Sequence, residues 1–379
     1  MKARRLQTPG RSYTRIGGGH HLDKVSQIID QNASLFPAEI LPPRKDAKTQ
    51  AAKRGRAAKK KGMPGEPRNY EQETESAQLA LVDALADYTE LRRSGVSPQL
   101  VQIAQALIFC GLPYRETTED RISRVSRDRD GNDIRVTFYA LASDKEGNRI
   151  PMPYGADRTF LHWCIDKAIK LKSPFVPLEK AADFLTEVGH SKSGQNVKRL
   201  RDAYRRLSGL TIFVERYGKE NKDHESDEDR SLLPIIEDSR VPASIQPRAT
   251  PITGPAGLRF GEKFFKEINR HHVPFPWEIL RKLEQKPQMQ DYILFLHWRS
   301  YAARTRTLIT WKQLRGQLWH ADSNTARIRV RFDNAIKLLK GVWPELSAEA
   351  TKKGLMIGPP AKGQHLIPSH NVETKYLNG

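Results

Sequence analysis

Residues 189–207 read GHSKSGQNVKRLRDAYRRL, and our prediction of the fold rests mainly on these residues. Val197, Leu200 and Tyr204 recur at helical spacing, which indicates one buried face of a helix. The segments predicted around it run in the order helix, turn, helix and strand: 178–188, 189–194, 195–207 and 211–217. This order is typical of a winged helix-turn-helix, whose last helix enters the major groove of DNA beside a β-hairpin.

The outer face of this helix is basic, and Asp202 is its single acid. Arginine pairs well with guanine and asparagine or glutamine with adenine, so these residue types are suited to reading base edges. Ser193 is placed to cap the helix and to present its N-terminal amides to a phosphate. Arg206 belongs to the same basic run. The predicted DNA-binding residues are Lys192, Ser193, Gln195, Asn196, Lys198, Arg199, Arg201 and Arg205.

A second segment repeats this order closer to the C-terminus. Helices are predicted over 287–303, 310–318 and 325–339, and a hairpin over 346–357. Ile328, Phe332, Ala335, Ile336 and Leu339 form the predicted inner stripe of the last helix. Its predicted DNA-binding residues, together with the lysines of the hairpin turn, are Ser323, Asn324, Thr325, Arg327, Arg329, Arg331, Lys352 and Lys353.

These two segments predict an α+β protein with tandem winged helix-turn-helix domains. The earlier part of the first domain is predicted to hold a helix over 75–91, another over 97–108 and a β-hairpin over 122–140. The predicted boundaries are a disordered basic tail, the first domain, a linker, the second domain and a loosely ordered C-terminal tail: 1–74, 75–240, 241–257, 258–360 and 361–379.

Charge indicates the class of partner. The 379 residues carry a formal charge of +20, and residues 1–70 alone hold 16 basic and 5 acidic side chains. A chain this basic is attracted to polyanions such as double-stranded DNA. The basic tail suits either a solvated arm or nonspecific phosphate contact. The loop over 219–230 is acidic instead, so it is either a solvated insertion or a contact for a partner protein.

Other classes of function lack their signatures. No apolar run is long enough to span a membrane, and no secretory signal is legible, so we expect a cytoplasmic protein. Cys110 and Cys164 are expected to be buried free thiols. Gly189 and Gly194 have the spacing of a phosphate-binding loop, but Gln195 stands where that motif requires lysine. We therefore expect no enzyme activity, no metal and no cofactor.

Several stretches resemble the plasmid-encoded RepA replication initiators. The first is Ile150-Pro151-Met152-Pro153-Tyr154-Gly155 with Arg158, Leu161 and Trp163, and the second runs from Leu178 through the basic helix to Thr211-Ile212-Phe213. Further matches are Trp277–Leu280, Asp291-Tyr292, Trp298-Arg299 and Trp343-Pro344. The resemblance spans residues 75–360. It does not cover the acidic loop or the basic tail.

This resemblance implies an initiator that binds directly repeated origin sites, called iterons, through tandem winged helices. It also implies opening of adjacent AT-rich DNA, recruitment of the host replication initiator and replicative helicase, and a homodimer that represses its own promoter. The alternative from the residues is a winged-helix transcriptional regulator, which would bind an inverted repeat as a symmetric dimer. A DNA-nicking enzyme is a third class.

Overall fold

The computed structural model describes residues 70–127, 133–217, 228–240, 255–318 and 324–367. The described chain mixes helices with antiparallel sheets, which agrees with the predicted α+β class. Residues 1–69 of the basic tail, most of the acidic loop, most of the proposed linker and the last residues of the C-terminal tail lie outside the described residues, so their predicted roles stay predictions. The predicted end of the disordered tail at residue 74 is wrong, because a helix begins at Tyr70.

The described chain begins with α1 (Tyr70–Arg93), β1 (Leu100–Ala104) and the short α2 (Gln105–Phe109). The predicted helix over 97–108 is therefore wrong in its first half. β1 pairs antiparallel with β9 (His272–Pro276), and Val101 and Ile103 are buried in alternation. A strand partner far along the chain overrides the helical spacing of the local sequence, as tertiary packing commonly does.

A four-stranded antiparallel sheet follows in the order β2-β3-β5-β6. The predicted hairpin over 122–140 is confirmed as β2 (Arg121–Arg127) and β3 (Asp133–Ala140). β3 also pairs with β5 (Leu210–Tyr217), which in turn pairs with β6 (Glu228–Pro234). Phe138 and Ile212 face each other across β3 and β5, and both are buried in the core.

The helices of the first unit are α3 (Asp157–Leu171), α4 (Ala181–Glu187) and α5 (Gly194–Ser208). The last two confirm the helices predicted over 178–188 and 195–207. The three strands of this unit are β4 (Phe175–Pro177), β7 (Ile236–Arg240) and β8 (Gly257–Phe260). They form an antiparallel sheet in the order β4-β8-β7, so the last strand lies between the first and the second.

The second unit has the same order of elements. Its helices are α8 (Pro287–Ala302), α9 (Trp311–Leu318) and α10 (Thr325–Val342), and its strands are β10 (Thr307–Thr310), β11 (Ala348–Ala350) and β12 (Gly354–Ile357). Its sheet has the order β10-β12-β11, again with the last strand in the middle. In the first unit β5 and β6 lie between α5 and β7 in the chain, but they belong to the four-stranded sheet. Without them, both units read helix, strand, helix, helix, strand, strand, with the same strand neighbours.

This topology corrects two interpretations of the first segment. The strand predicted over 211–217 is β5, but it pairs with β6 in the four-stranded sheet and does not form the hairpin beside the basic helix. The pair in the position of that hairpin is β7 and β8. The predicted linker over 241–257 is wrong at its end, because Gly257 begins β8 and pairs with Arg240 of β7. The segment therefore connects two neighbouring strands of one sheet.

Three elements join the units: α6 (Glu262–Arg270), β9 and α7 (Trp277–Lys282). Besides the β1–β9 pairing, α1 packs on α7, where Nζ of Lys282 lies 2.9 Å from the carboxylates of both Asp83 and Asp87. Arg158 on α3 and Asp291 on α8 form a buried ion pair between the units. One continuous apolar core runs through both units. Both cysteines are buried and free, as predicted.

Candidate nucleic-acid interface

The N-terminus of α5 is capped from the preceding turn. Ser193 has extended backbone, and its Oγ accepts a hydrogen bond of 3.3 Å from the amide of Asn196, so the predicted cap is confirmed. The Asn196 side chain bonds back into the turn, with Nδ2 donating to the Ser191 carbonyl at 2.9 Å. Asn196 thus orders the turn, which competes with its predicted role of reading a base.

The buried face of α5 consists of Leu200, Ala203, Tyr204 and Leu207. The Tyr204 hydroxyl lies between β7 and β8, where it contacts the Gly257 carbonyl and donates to the Arg240 carbonyl at 2.9 Å. Burial raises the pKa of Tyr204, so the phenol stays protonated and keeps donating. This contact fixes α5 against the base of the β7–β8 pair.

The opposite face of α5 is exposed and basic. Arg201 is half-buried, and its Nε lies 3.9 Å from Oδ1 of Asp202. The predicted residues with exposed side chains on or just before α5 are Lys192, Ser193, Gln195, Lys198, Arg199 and Arg205. Their placement agrees with a DNA-facing surface, and their contacts with DNA stay predictions.

Arg206 has a structural role that the sequence pattern did not reveal. Its guanidinium donates to both carboxylate oxygens of Asp157, at 2.6 and 2.8 Å, and lies 4.8 Å from the centroid of the Tyr154 ring. A bidentate arginine–carboxylate pair of this kind is geometrically specific and holds α5 on the start of α3. Arg206 is therefore not part of the exposed basic face.

The second basic helix, α10, is also capped. The Asn324 side chain accepts hydrogen bonds from the amides of Ala326 and Arg327, at 3.0 and 3.3 Å. Ser323, which was predicted to contact DNA, lies outside the described residues. The predicted inner stripe is confirmed, because all five of its residues are buried: Ile328, Phe332, Ala335, Ile336 and Leu339.

The outer face of α10 is less basic than its sequence suggests. Arg331 donates to Oε1 of Gln288 at 2.7 Å, and Lys337 is paired with Asp333 at 3.0 Å. Val330 is 49% exposed, although it lies between the basic residues. Thr325 and Arg327 are exposed and Arg329 is half-buried. The N-terminal turn therefore presents most of the side chains suited to base contact.

The hairpin of the second unit is fixed beside α9. Trp311 at the start of α9 donates from Nε1 to the Thr351 carbonyl at 3.1 Å, and Thr351 in turn bonds Gly354 across the turn. Lys352 and Lys353 at the tip are both exposed. Two cations on an anchored turn are suited to phosphate contact at a defined position.

A basic groove lies between the four-stranded sheet, α6 and the start of the second unit. No sequence pattern predicts it. Its volume is about 1850 Å³. Ile134, Val136 and Val214 of the sheet line it, together with two acids, Asp133 and Glu267. Its basic lining consists of Arg124, Arg216, Lys263, Arg270, Arg299, Arg304, Lys312 and Arg315. These cations come from five separate helices and strands and one loop, so no local motif marks the groove.

No helix among the described residues is long and apolar enough to cross a membrane. No group of three or more possible metal ligands occurs within the same residues.

Comparison with known proteins gives weak structural likenesses. Neither a protein-family model nor a curated protein matches the chain. The chain is similar to a selenomethionine derivative of domains 2 and 3 of RctB, at a TM-score of 0.41 and 12% identity over 66% of this chain and 88% of that chain. A second structure, RctB-155-483, gives 0.36 and 12% over 65% and 85%. With TM-scores below 0.5, the likeness by itself determines neither the fold nor the function.

Proposed function

We propose that this protein is a sequence-specific DNA-binding replication initiator built from two winged-helix units. The observation that carries the proposal is the repeated order of elements with the last strand in the middle of each sheet. In both units this arrangement leaves the third helix capped, basic and exposed at its N-terminal turn. A helix presented in this way fits the major groove, and the neighbouring hairpin reaches the flanking backbone.

The side chains divide into base readers and backbone contacts. We assign base reading to Gln195, Lys198 and Arg199 on α5 and to Thr325 and Arg327 on α10, because these are exposed near the capped ends. Phosphate contact is assigned to the other exposed cations among the predicted DNA-binding residues: Lys192, Arg205, Lys352 and Lys353. Asn196 and Arg331 act within the protein instead, through their bonds to Ser191 and Gln288.

The step from DNA binding to initiation rests on the sequence resemblance to RepA proteins. By that resemblance the binding sites are direct repeats at a plasmid origin, and binding promotes opening of neighbouring AT-rich DNA. Deformation of flexible pyrimidine–purine steps by two linked units supplies part of the opening energy, with no nucleotide hydrolysis. Host replication initiator and replicative helicase are the proposed partners, together with a second copy of this chain as a repressing dimer. No catalytic activity is proposed.

Footprinting of the purified protein on the DNA that flanks its own gene tests this function. Evenly spaced direct repeats, phased at one or two helical turns, are the expected result. A single inverted repeat over the promoter would replace initiation by transcriptional regulation. Salt-sensitive coating without a discrete footprint would show that α5 and α10 do not read sequence.

Matched variants separate reading from general attraction. Arg199→Ala removes an exposed cation of α5. The control Lys145→Ala also removes one positive charge, from a side chain that is 90% exposed in the turn before α3. We expect the footprint to be lost with the first and kept with the second. Incubation with supercoiled plasmid and Mg²⁺ tests the absence of catalysis, because relaxed product would indicate a nicking enzyme.

A further inference from the structure

A short segment at the junction of α7 and α8 contacts the turn before α5 and the helix α10. We call residues 284–288 the connector. Glu284 places Oε2 2.6 Å from Nε2 of His190, in the turn that precedes α5. Gln288 accepts a hydrogen bond of 2.7 Å from Nη1 of Arg331 on α10. Four residue steps span at most about 14 Å of chain, so the anchors of α5 and α10 lie close together.

The connector is itself held in place by the rest of the protein. Buried Arg158 on α3 donates from Nη1 to the Pro287 carbonyl at 3.2 Å. Lys286 donates from Nζ to the Ser76 hydroxyl on α1 at 2.7 Å. Pro287 is also the first residue of α8, which restricts its backbone further. The connector is thus a fixed point between the units.

The turn before α5 packs closely against α7, the helix that precedes the connector. Gly189 has a φ of +75°, and a Cβ there would lie 2.5 Å from Nη1 of Arg281. Trp277 donates a hydrogen bond of 3.2 Å from Nε1 to the carbonyl of Glu187, the last residue of α4. Arg281 and Trp277 both belong to α7, so this turn is packed on the element that leads into the connector.

Glu284 lies where it affects both the turn and the reading helix. Its side chain is 9% exposed, and burial raises its pKa, while His190 and Arg199 oppose that rise. A carboxylate in this place attracts the guanidinium of Arg199 as well as the ring of His190. Its removal therefore perturbs the N-terminal end of α5 without touching the exposed residues themselves.

We infer that Glu284 and Gln288 are positioning residues that fix the distance and angle between α5 and α10. The consequence for DNA rests on the proposed function: both helices then read segments at one set separation. The structural part of the inference does not depend on DNA. The two parts are tested separately.

Distance measurements between spin labels test the structural part. Labels on Lys198→Cys and Val330→Cys report on α5 and α10, and Cys110 and Cys164 are too buried to be labelled. We expect a single narrow distance distribution that broadens in Glu284→Ala/Gln288→Ala. The matched control is Glu262→Ala, which deletes an exposed ion pair on α6 and should leave the distribution narrow.

Further variants keep this test decisive. Gln288→Glu, with Glu284 intact, places a carboxylate opposite Arg331. This variant should keep the narrow distance distribution of the wild-type protein. If the double variant does not fold, as judged by thermal melting, the single variants are measured instead. An unchanged distribution in a folded variant would overturn the inference, whatever the protein binds.

The DNA part uses the footprinted site. Five base pairs, half a helical turn, are inserted between the segments protected by α5 and by α10. The wild-type protein should lose at least tenfold in affinity, and Glu284→Ala/Gln288→Ala should lose clearly less while binding the unaltered site more weakly. Equal losses would show that the connector does not set the spacing. Absence of any footprint would refute the proposed function. The distances between the spin labels would then still test whether the connector fixes α5 relative to α10.

Discussion

Replacement of Arg158 by methionine should destabilise the protein strongly, because it removes a buried charge that joins the two units. Arg158 is 3% exposed and Asp291 is 6% exposed, and they form the ion pair between α3 and α8. Methionine fills much of the space and leaves the Asp291 carboxylate behind. Breaking a buried pair in this way typically costs about 3–5 kcal/mol. Arg124 is buried beside the same carboxylate, so we expect a loss of about 3 kcal/mol.

The reverse replacement should cost less. In Asp291→Asn the guanidinium of Arg158 keeps its backbone acceptors, which are the carbonyls of Leu112, Pro113, Gly155 and Pro287 at 2.8 to 3.2 Å. An asparagine oxygen also remains available to accept from it. The expected loss is about 1–2 kcal/mol, in the range for weakening one hydrogen bond to a charged group.

The pH dependence follows from the sign of the pKa shift. Burial raises the pKa of Asp291, and Arg158 counteracts this, so loss of Arg158 raises that pKa further. An acid whose pKa is higher in the folded state favours folding when it is protonated, and this contribution is lost as pH rises through the raised value. The penalty of Arg158→Met should therefore be larger at pH 8 than at pH 5.

Urea unfolding followed by circular dichroism at both pH values measures these losses. Arg306→Met is the matched control, because Arg306 and Glu349 form an exposed pair at 2.8 Å that should contribute less than about 1 kcal/mol. An Asp291→Asn loss that equals or exceeds the Arg158→Met loss would refute the reasoning, as would a penalty that grows on acidification.

Three further predictions concern the candidate interface. Arg199→Ala or Arg327→Ala should weaken binding to the footprinted site about tenfold or more while binding to random duplex changes little, as titrations on both DNAs will show; equal losses would mean backbone contact only. Lys352→Ala/Lys353→Ala should lower the slope of log affinity against log salt by about 2, and an unchanged slope would remove the hairpin from the interface. Tyr204→Phe should cost about 1–3 kcal/mol in urea unfolding, since it leaves buried carbonyls without their donor; no loss would contradict its role at the β7–β8 base.

Local patterns sufficed for the two basic helices and for the cap of α5. The spacing of Val197, Leu200 and Tyr204 and the cap at Ser193 are set within a few residues, and the structure has both. Pairings between distant segments were not accessible in this way. Residues 97–104 have helical spacing, yet β1 forms because β9 supplies a partner. The hairpin of the first unit was misplaced for the same reason, since β8 follows β7 only after a long connection.

The site was predictable by residue type but not by partner. Arg206 and Arg199 look alike in the sequence, and only the fold brings Asp157 to one of them. Likewise, Arg331 is engaged by Gln288, which lies on a different helix. The basic groove and the connector escaped notice because their members are scattered along the chain. Charge patterns indicate the kind of partner, whereas the choice among similar cations depends on tertiary contacts.

Under the proposed function, the small number of candidate base readers on each helix favours a fixed spacing between the helices. Three candidates lie on α5 and two on α10, and each good base contact discriminates by about 1–3 kcal/mol. Selection of a site from a genome takes about 4–10 kcal/mol over nonspecific binding. By these values the contacts of α5 give about 3–9 kcal/mol and those of α10 about 2–6 kcal/mol, so neither helix covers the full range and we expect both to bind the same site. Their contributions add fully only if the two units are already ordered relative to each other, because ordering on binding costs free energy. We infer that the contacts of Glu284 and Gln288 fix this relative orientation before DNA binds.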